Sequence, residues 1–304
     1  MNSLKGFFYG IMTSVTFGLI PLFTLPLMAK GMHFESILFY RFIIATIALG
    51  CMMKIKGESF AVEKKDIPYF LLLGLFYTGS AMFLFWGYDF MGAGIATTLH
   101  FTYPVFVTLI MLLFFREKTS WITILAILMA IAGVARLSIS GEVEMNITGL
   151  VIVLLSAVAY ALYIVTVNKS RVCTMNGRKL AFYVFIVSTV LFGIRANTHL
   201  GLQAVPDTMS LINLILLAIV PTVISNITLV LAVHNIGGTL TSVLGAMEPL
   251  TAVCVGVLVF GEAFTANEAF GMLLIITAVT LIILSGTIKK ALSVLFRGVR
   301  SKFM

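Results

Sequence analysis

Charge is what this sequence lacks most. Only 11% of its 304 residues are Asp, Glu, Lys or Arg, and 60% are hydrophobic, where a soluble domain carries roughly 25% charged residues. Cysteine is scarce too. Cys51, Cys173 and Cys254 form an odd set with no CxxC, which excludes a disulfide framework and a zinc site. There is no GxxxxGK[ST] loop to couple ATP, no HExxH or GxSxG to support an intramembrane enzyme, and no clustered metal ligands. The sequence therefore asks for no cofactor. The net charge of +8 comes from basic residues in short loops and a tail, not from an aromatic-interleaved basic surface, so nucleic acid is not a partner.

Long apolar runs are what is there. The mean hydropathy is +1.11, and runs of about 20 apolar residues, the length that crosses a bilayer as helix, recur along the chain. Membrane-barrel strands would be short and alternating. The fold class is all-α integral membrane, with ten transmembrane helices near 5–29, 34–53, 67–87, 92–115, 120–140, 147–168, 179–196, 208–233, 238–260 and 266–287. The first run is too long for a signal peptide, and no small-x-small cleavage site follows it. Basic loops set direction. With a cytoplasmic N-terminus, sixteen of the twenty Lys and Arg residues fall on the inside, against Lys30, Arg136 and Arg195 outside and Arg41 within a helix. Both termini are then cytoplasmic in a multi-pass protein of the cytoplasmic membrane. The basic tail, 288–304, serves as a topology signal or lies on the anionic inner leaflet.

The chain repeats itself. "FYRFIIATIALG" at 39–50 matches "FYVFIVSTVLFG" at 182–193, and the same offset sets Gly6 on Gly149, Thr13 on Ser156 and Phe17 on Tyr160. From the third helix on, an offset two residues longer sets Gly92 on Gly237, Pro104 on Pro249 and Glu117 on Glu262. Each half, 5–140 and 147–287, thus holds five helices. An odd number inserts the second copy upside down, and inverted repeats are associated with carriers whose midplane site is exposed to each side in turn.

The runs "GAGIATTLHFTYPVFVTLIMLLFFREKTSWITILAILMAIAGVARL" and "GTLTSVLGAMEPLTAVCVGVLVFGEAFTANEAFGMLLIITAVTLIIL" resemble the fourth and fifth helices of an EamA domain, a branch of the drug/metabolite transporter superfamily. The resemblance covers nearly all of 6–287. It implies a ten-helix carrier, often an exporter of amino acids or other metabolites, with a central cavity lined by both halves. Phe17-Gly18 stands where the family often has Trp-Gly, a departure that touches cavity shape.

Few residues could carry chemistry. Glu248 lies near the midplane at the 1.5 Å rise of a helix. Exposing a carboxylate to hydrocarbon there costs on the order of 3 kcal/mol or more. It lines a cavity, as a contact for a substrate amine or as a proton-coupling acid, or it is fixed in an ion pair or an inter-helix hydrogen bond. Pro104 and Pro249 bend matching helices, freeing the carbonyls of His100 and Gly245. These hinges would turn His100 with Tyr103, and Gly245 with Glu248, toward one central space. His100 could relay protons, bind a carboxylate, or sit neutral against a neighbouring helix. Arg41 binds an anionic group, pairs with Glu248, or reaches to the interface. Tyr160 and Tyr163 share a face with Ser156. Tyr77 and Ser80 match Thr222 and Ser225, with Asn226 beside the latter and Phe17 on the first helix. Together these groups could line a pocket for a small amphipathic molecule. The function expected is a secondary transporter of a small organic metabolite, an exporter with or without proton coupling. The alternative is a facilitative channel or uniporter. Each half can complete the other's cavity within one chain.

Overall fold

Prolines and glycines, more than polar loops, decide where these helices stop. The computed structural model describes residues 3–116, 120–139, 146–199 and 201–300. Glu117, Lys118 and the side chains of the basic tail lie outside the described residues. Among the described residues thirteen α-helices run in order: α1 (Ser3–Gly18), α2 (Ile20–Ala29), α3 (Phe34–Ile55), α4 (Ile67–Gly87), α5 (Ala93–His100), α6 (Tyr103–Phe115), α7 (Trp121–Ile139), α8 (Ile147–Lys169), α9 (Gly177–His199), α10 (Thr208–Ala218), α11 (Ser225–Leu244), α12 (Met247–Phe260) and α13 (Ala266–Arg300). Among the described residues there is no strand. Eight helical stretches of the described residues are long and apolar enough to cross a membrane; Trp121–Leu137 and Met247–Phe260 are shorter apolar helices. Leu113, Phe114, Trp121 and Leu258 are exposed on the outside of the bundle, where lipid rather than water is the fitting solvent.

Several spans read as continuous are interrupted. The first breaks at Leu19 between α1 and α2, with Pro21 just beyond the break and Pro26 inside α2. The fourth breaks at Phe101 and Thr102, immediately before Pro104. The eighth relaxes into a π-helical turn, Ile219–Ile224, around Pro221. The ninth breaks at Gly245 and Ala246, ahead of Pro249. Proline has no N–H to give the preceding turn, so each of these is a local backbone necessity. The carbonyl of Gly245, expected to be left free, accepts from Glu248 N at 2.9 Å.

Two expected boundaries differ. A loop was expected between 233 and 238, yet α11 is helical through Gly237 and Gly238. The chain still reverses there. Thr13 bonds Thr228 and Gly6 lies against Ile236, then Gly10 lies against Leu244 and Gly18 against Glu248 and Thr251. Contacts along α1 run one way up to Ile236 and the opposite way from Leu244 on. Helix α13 continues past 287 as helix to Arg300.

Helices pack α1 on α11 and α12, α4 on α8, α3 on α9, α5 on α12 and α7 on α13. Small residues set these crossings, as they do wherever apolar helices meet without water to drive them together. A methyl at Gly50 would press on Phe182, and one at Gly193 on Phe39. Methyls at Gly133 and Gly271 would each meet the other's carbonyl oxygen, at 2.9 Å and 3.1 Å respectively. The centre is aromatic. Phe42 stacks on Phe192 at 5.8 Å and contacts Phe185 and Tyr77 at 5.4 Å and 5.8 Å.

Ion pairs close both ends. At one end Lys30 bonds Asp207 at 2.7 Å and Arg195 meets Glu35 at 3.4 Å. At the other, Arg171 bonds Asp66 at 2.8 Å and Glu63 at 2.6 Å, and Arg178 pairs with Glu58. Lys30 and the backbone N–H of Ser210 hold the Asp207 carboxyl down to about 2. Arg178 likewise holds Glu58 below its ordinary range.

Candidate functional site

Three of the four helix interruptions meet at one cavity. It is open on one side and has about 60 Å³ of room for the centres of water molecules. One water needs roughly 10–15 Å³ by this measure, so the cavity suits a few waters or a small polar solute. Phe17 and Ile20 flank the break at Leu19, His100 and Tyr103 flank the break at Phe101 and Thr102, and Glu248 follows the break at Gly245 and Ala246. The broken backbone and the polar lining therefore coincide, as they must where irregular chain is tolerated at membrane depth only beside protein or a cavity.

Of the residues singled out in the sequence, Phe17, Arg41, Tyr77, Ser80, His100, Tyr103, Tyr160 and Glu248 line this cavity. Tyr163 stands one ring behind it, 5.2 Å from Tyr77 and 5.8 Å from Tyr160 between centroids. Asn226 does not line it. Its amide donates to Thr222 O at 2.6 Å, a bond within its own chain segment. Pro104 and Pro249 lie beside the breaks, outside the lining. The lining also holds Ile20, Ala81, Leu84 and Phe85, which the sequence reading did not separate from ordinary packing residues.

Glu248 makes no ion pair with Arg41. Among the described residues its carboxylate has no ion pair or hydrogen bond, while Arg41 Nε donates to Thr222 Oγ1 at 2.9 Å. Thr222 in turn donates to Leu217 O at 3.0 Å, a carbonyl five residues back that the π-helical turn leaves available. The Arg41 guanidinium lies over Phe42 and Phe85, 5.5 Å and 5.7 Å from their centroids, and this cation–π contact helps hold a buried cation. Arg41, a lining residue, is thus anchored by one nitrogen and a pair of rings.

His100 is held as firmly. Its Nδ1 lies 2.8 Å from Ser156 Oγ, which is also 2.8 Å from Ser80 O. Tyr160 packs against the imidazole at 5.5 Å and against Tyr103 edge-on at 4.7 Å. The cavity therefore offers an anion without a partner, an anchored cation, an imidazole and a wall of tyrosine rings.

A bundle of membrane-length helices, interrupted around a solute-sized polar cavity, defines a polytopic membrane protein with room for cargo at its centre. The EamA-like transporter family model matches residues 4–139 and 147–284. The chain belongs to that family, and it is a membrane transporter rather than an enzyme. It is similar to the uncharacterized transporter YdfC of Bacillus subtilis, 24% identical over 80% of this chain and 79% of that one. It also resembles the uncharacterized transporter sll1319 of Synechocystis, 26% identical over 64% and 60% of the two chains. An uncharacterized transporter of Archaeoglobus fulgidus is 29% identical over 49% of this chain, and the chain spans about half (52%) of that relative's length. A solved crystal structure shares the fold, with a TM-score of 0.66 at 16% identity over 93% of this chain and 99% of that one.

Proposed function

We propose that this chain is a secondary transporter that moves a small organic metabolite across the cytoplasmic membrane by alternating access, exporting it. The observation that carries the reading is the Glu248 carboxylate, unpartnered in a central cavity it shares with Arg41, His100 and tyrosine rings. A half-buried charge with no partner among the described residues is costly, and an incoming ammonium or proton removes that cost. The cargo is an amino-acid-like or other amphipathic compound: its positive end meets Glu248, its anionic or polar end meets Arg41, and its body lies on Tyr77, Tyr103 and Tyr160.

The same reading holds that ten spans form two inverted five-helix halves, 5–140 and 147–287, with both termini cytoplasmic and the 288–304 tail beside them. Matched contacts support the two-half arrangement. Gly6 lies against Asn235 and Ile236, and Gly149 lies against Phe90 and Met91, the residues that the repeat aligns with them. Ser156 donates to Ser80 O, and Thr13, its match, donates to Ser225 O at 3.3 Å. Gly50 on Phe182 is answered by Gly193 on Phe39. Pro104 and Pro249 act as the hinges.

The test is uptake into liposomes holding purified protein, wild type or Glu248→Gln. A pooled mixture of amino acids and small metabolites is supplied with and without an imposed pH gradient, and the lumen is read by mass spectrometry. Concentrative uptake by wild type, lost in a variant that still equilibrates cargo, is the result for a proton-coupled carrier. Uptake indifferent to the gradient and to the substitution would reduce Glu248 to a structural residue and leave a uniporter.

A further inference from the structure

We propose that Ser156 is a positioning residue that fixes His100 with its proton on Nδ1, so that the cavity meets its occupant with a histidine that can accept a hydrogen bond at Nε2. The consequence for cargo rests on the transport reading above; the tautomer itself does not.

A serine hydroxyl has one hydrogen to give. Ser156 Oγ lies 2.8 Å from Ser80 O, and a backbone carbonyl only accepts, so that hydrogen is spent there. Without it, two lone pairs would face each other at bonding distance. Toward His100 Nδ1, also at 2.8 Å, the hydroxyl can then only accept, and Nδ1 must donate. A neutral imidazole carries a single N–H, which leaves Nε2 bare. Ser156 is 0% exposed and His100 7%, so bulk water does not compete for these bonds.

The chemistry of the lining follows. His100 Nε2 and the Glu248 carboxylate are acceptors, and the Arg41 fork is a donor, all on residues of one cavity. The occupant that satisfies it carries N–H or O–H donors at two points and an acceptor at a third. A site whose buried acceptors wait for donors discriminates strongly against an analogue that lacks them, so a permanently methylated ammonium fits worse than its unmethylated parent. The device belongs to one half only. Thr13 makes the matching bond to Ser225 O, but Gly245 stands where His100 does, and there is no ring to orient.

The experiment is NMR of the full chain, 15N-labelled at histidine and reconstituted in lipid. It is run at alkaline pH, above the ordinary imidazole range near about 6.5, with His100→Asn identifying the resonance. Wild type is expected to carry the proton on Nδ1. Ser156→Ala is expected to move most of the population to Nε2–H, and Ser156→Thr, which keeps the hydroxyl, to restore Nδ1–H. A wild-type proton on Nε2, or an Ala variant unchanged from wild type, overturns the proposal. If the Ala variant does not assemble, the wild-type spectrum still decides. Failure of transport in liposomes would leave this spectrum untouched, so the two readings fail separately.

Discussion

The two halves of the chain agree where helices pack and disagree where the cavity is. Gly6 and Gly149 seat matching neighbours, and Thr13 and Ser156 make the same bond to matching carbonyls. At the lining, by contrast, His100 answers to Gly245, Tyr103 to Glu248, Arg41 to Val184 and Tyr77 to Thr222. The repeated positions serve backbone approach and helix crossing, which both halves need equally. The unrepeated ones supply the cavity with a carboxylate, a guanidinium and an imidazole, which on the proposed transport reading one cargo meets once. Duplication explains the scaffold, and divergence explains the chemistry.

That contrast can be broken at its divergent positions first. Glu248→Gln keeps the shape and removes the anion. A hydrogen bond to a charged group is worth about 1.5–3 kcal/mol, so cargo affinity is expected to fall on the order of tenfold to a hundredfold, read as the KM of uptake. Packing comes next. Gly6→Leu and Gly149→Leu should each destabilise the protein by about 1–3 kcal/mol through overpacking, and by similar amounts, in thermal unfolding in detergent. A large effect at one and none at the other would contradict the matched scaffold.

Smaller effects sharpen the same line. Thr13→Val removes a hydroxyl that bonds Thr228 at 2.6 Å and should cost about 1 kcal/mol of stability with uptake unchanged, since Thr13 lies outside the lining. The ion pairs at the ends should matter least. Exposed pairs contribute little, and Lys30 with Asp207 is such a pair. The Asp207 carboxyl is held down to about 2 in the folded protein, below its ordinary value near 3.9. Its contribution is therefore present above about pH 4 and fades as pH falls toward 2. Asp207→Asn should lower the melting temperature slightly at neutral pH, and the difference should vanish near pH 2.

Much of this was legible in the sequence, for stated reasons. Hydropathy marked the spans because a bilayer demands length and apolarity, and the repeat located Pro104 and Pro249 beside a common centre. The cavity lining was legible where a polar residue interrupts an apolar run, as at Glu248, His100 and Arg41. What stayed hidden depends on three-dimensional neighbours. Phe85 and Leu84 line the cavity but look like any lipid-facing residue. Asn226 looks like a lining residue but spends its amide on the Thr222 carbonyl. The partner of Arg41 is Thr222, not Glu248, because the π-helical turn at Pro221 brings that hydroxyl to it. No periodicity announces such a turn.

The central claim is a single cavity reached from each side of the membrane in turn. The direct measurement places a cysteine at Ala81, a lining residue, in a chain whose Cys51, Cys173 and Cys254 are replaced by serine, and applies a membrane-impermeant maleimide from either side of sealed liposomes. The account predicts labelling from both sides while the reagent itself never reaches the opposite compartment. Labelling from one side only, or reagent crossing through the protein, would contradict it.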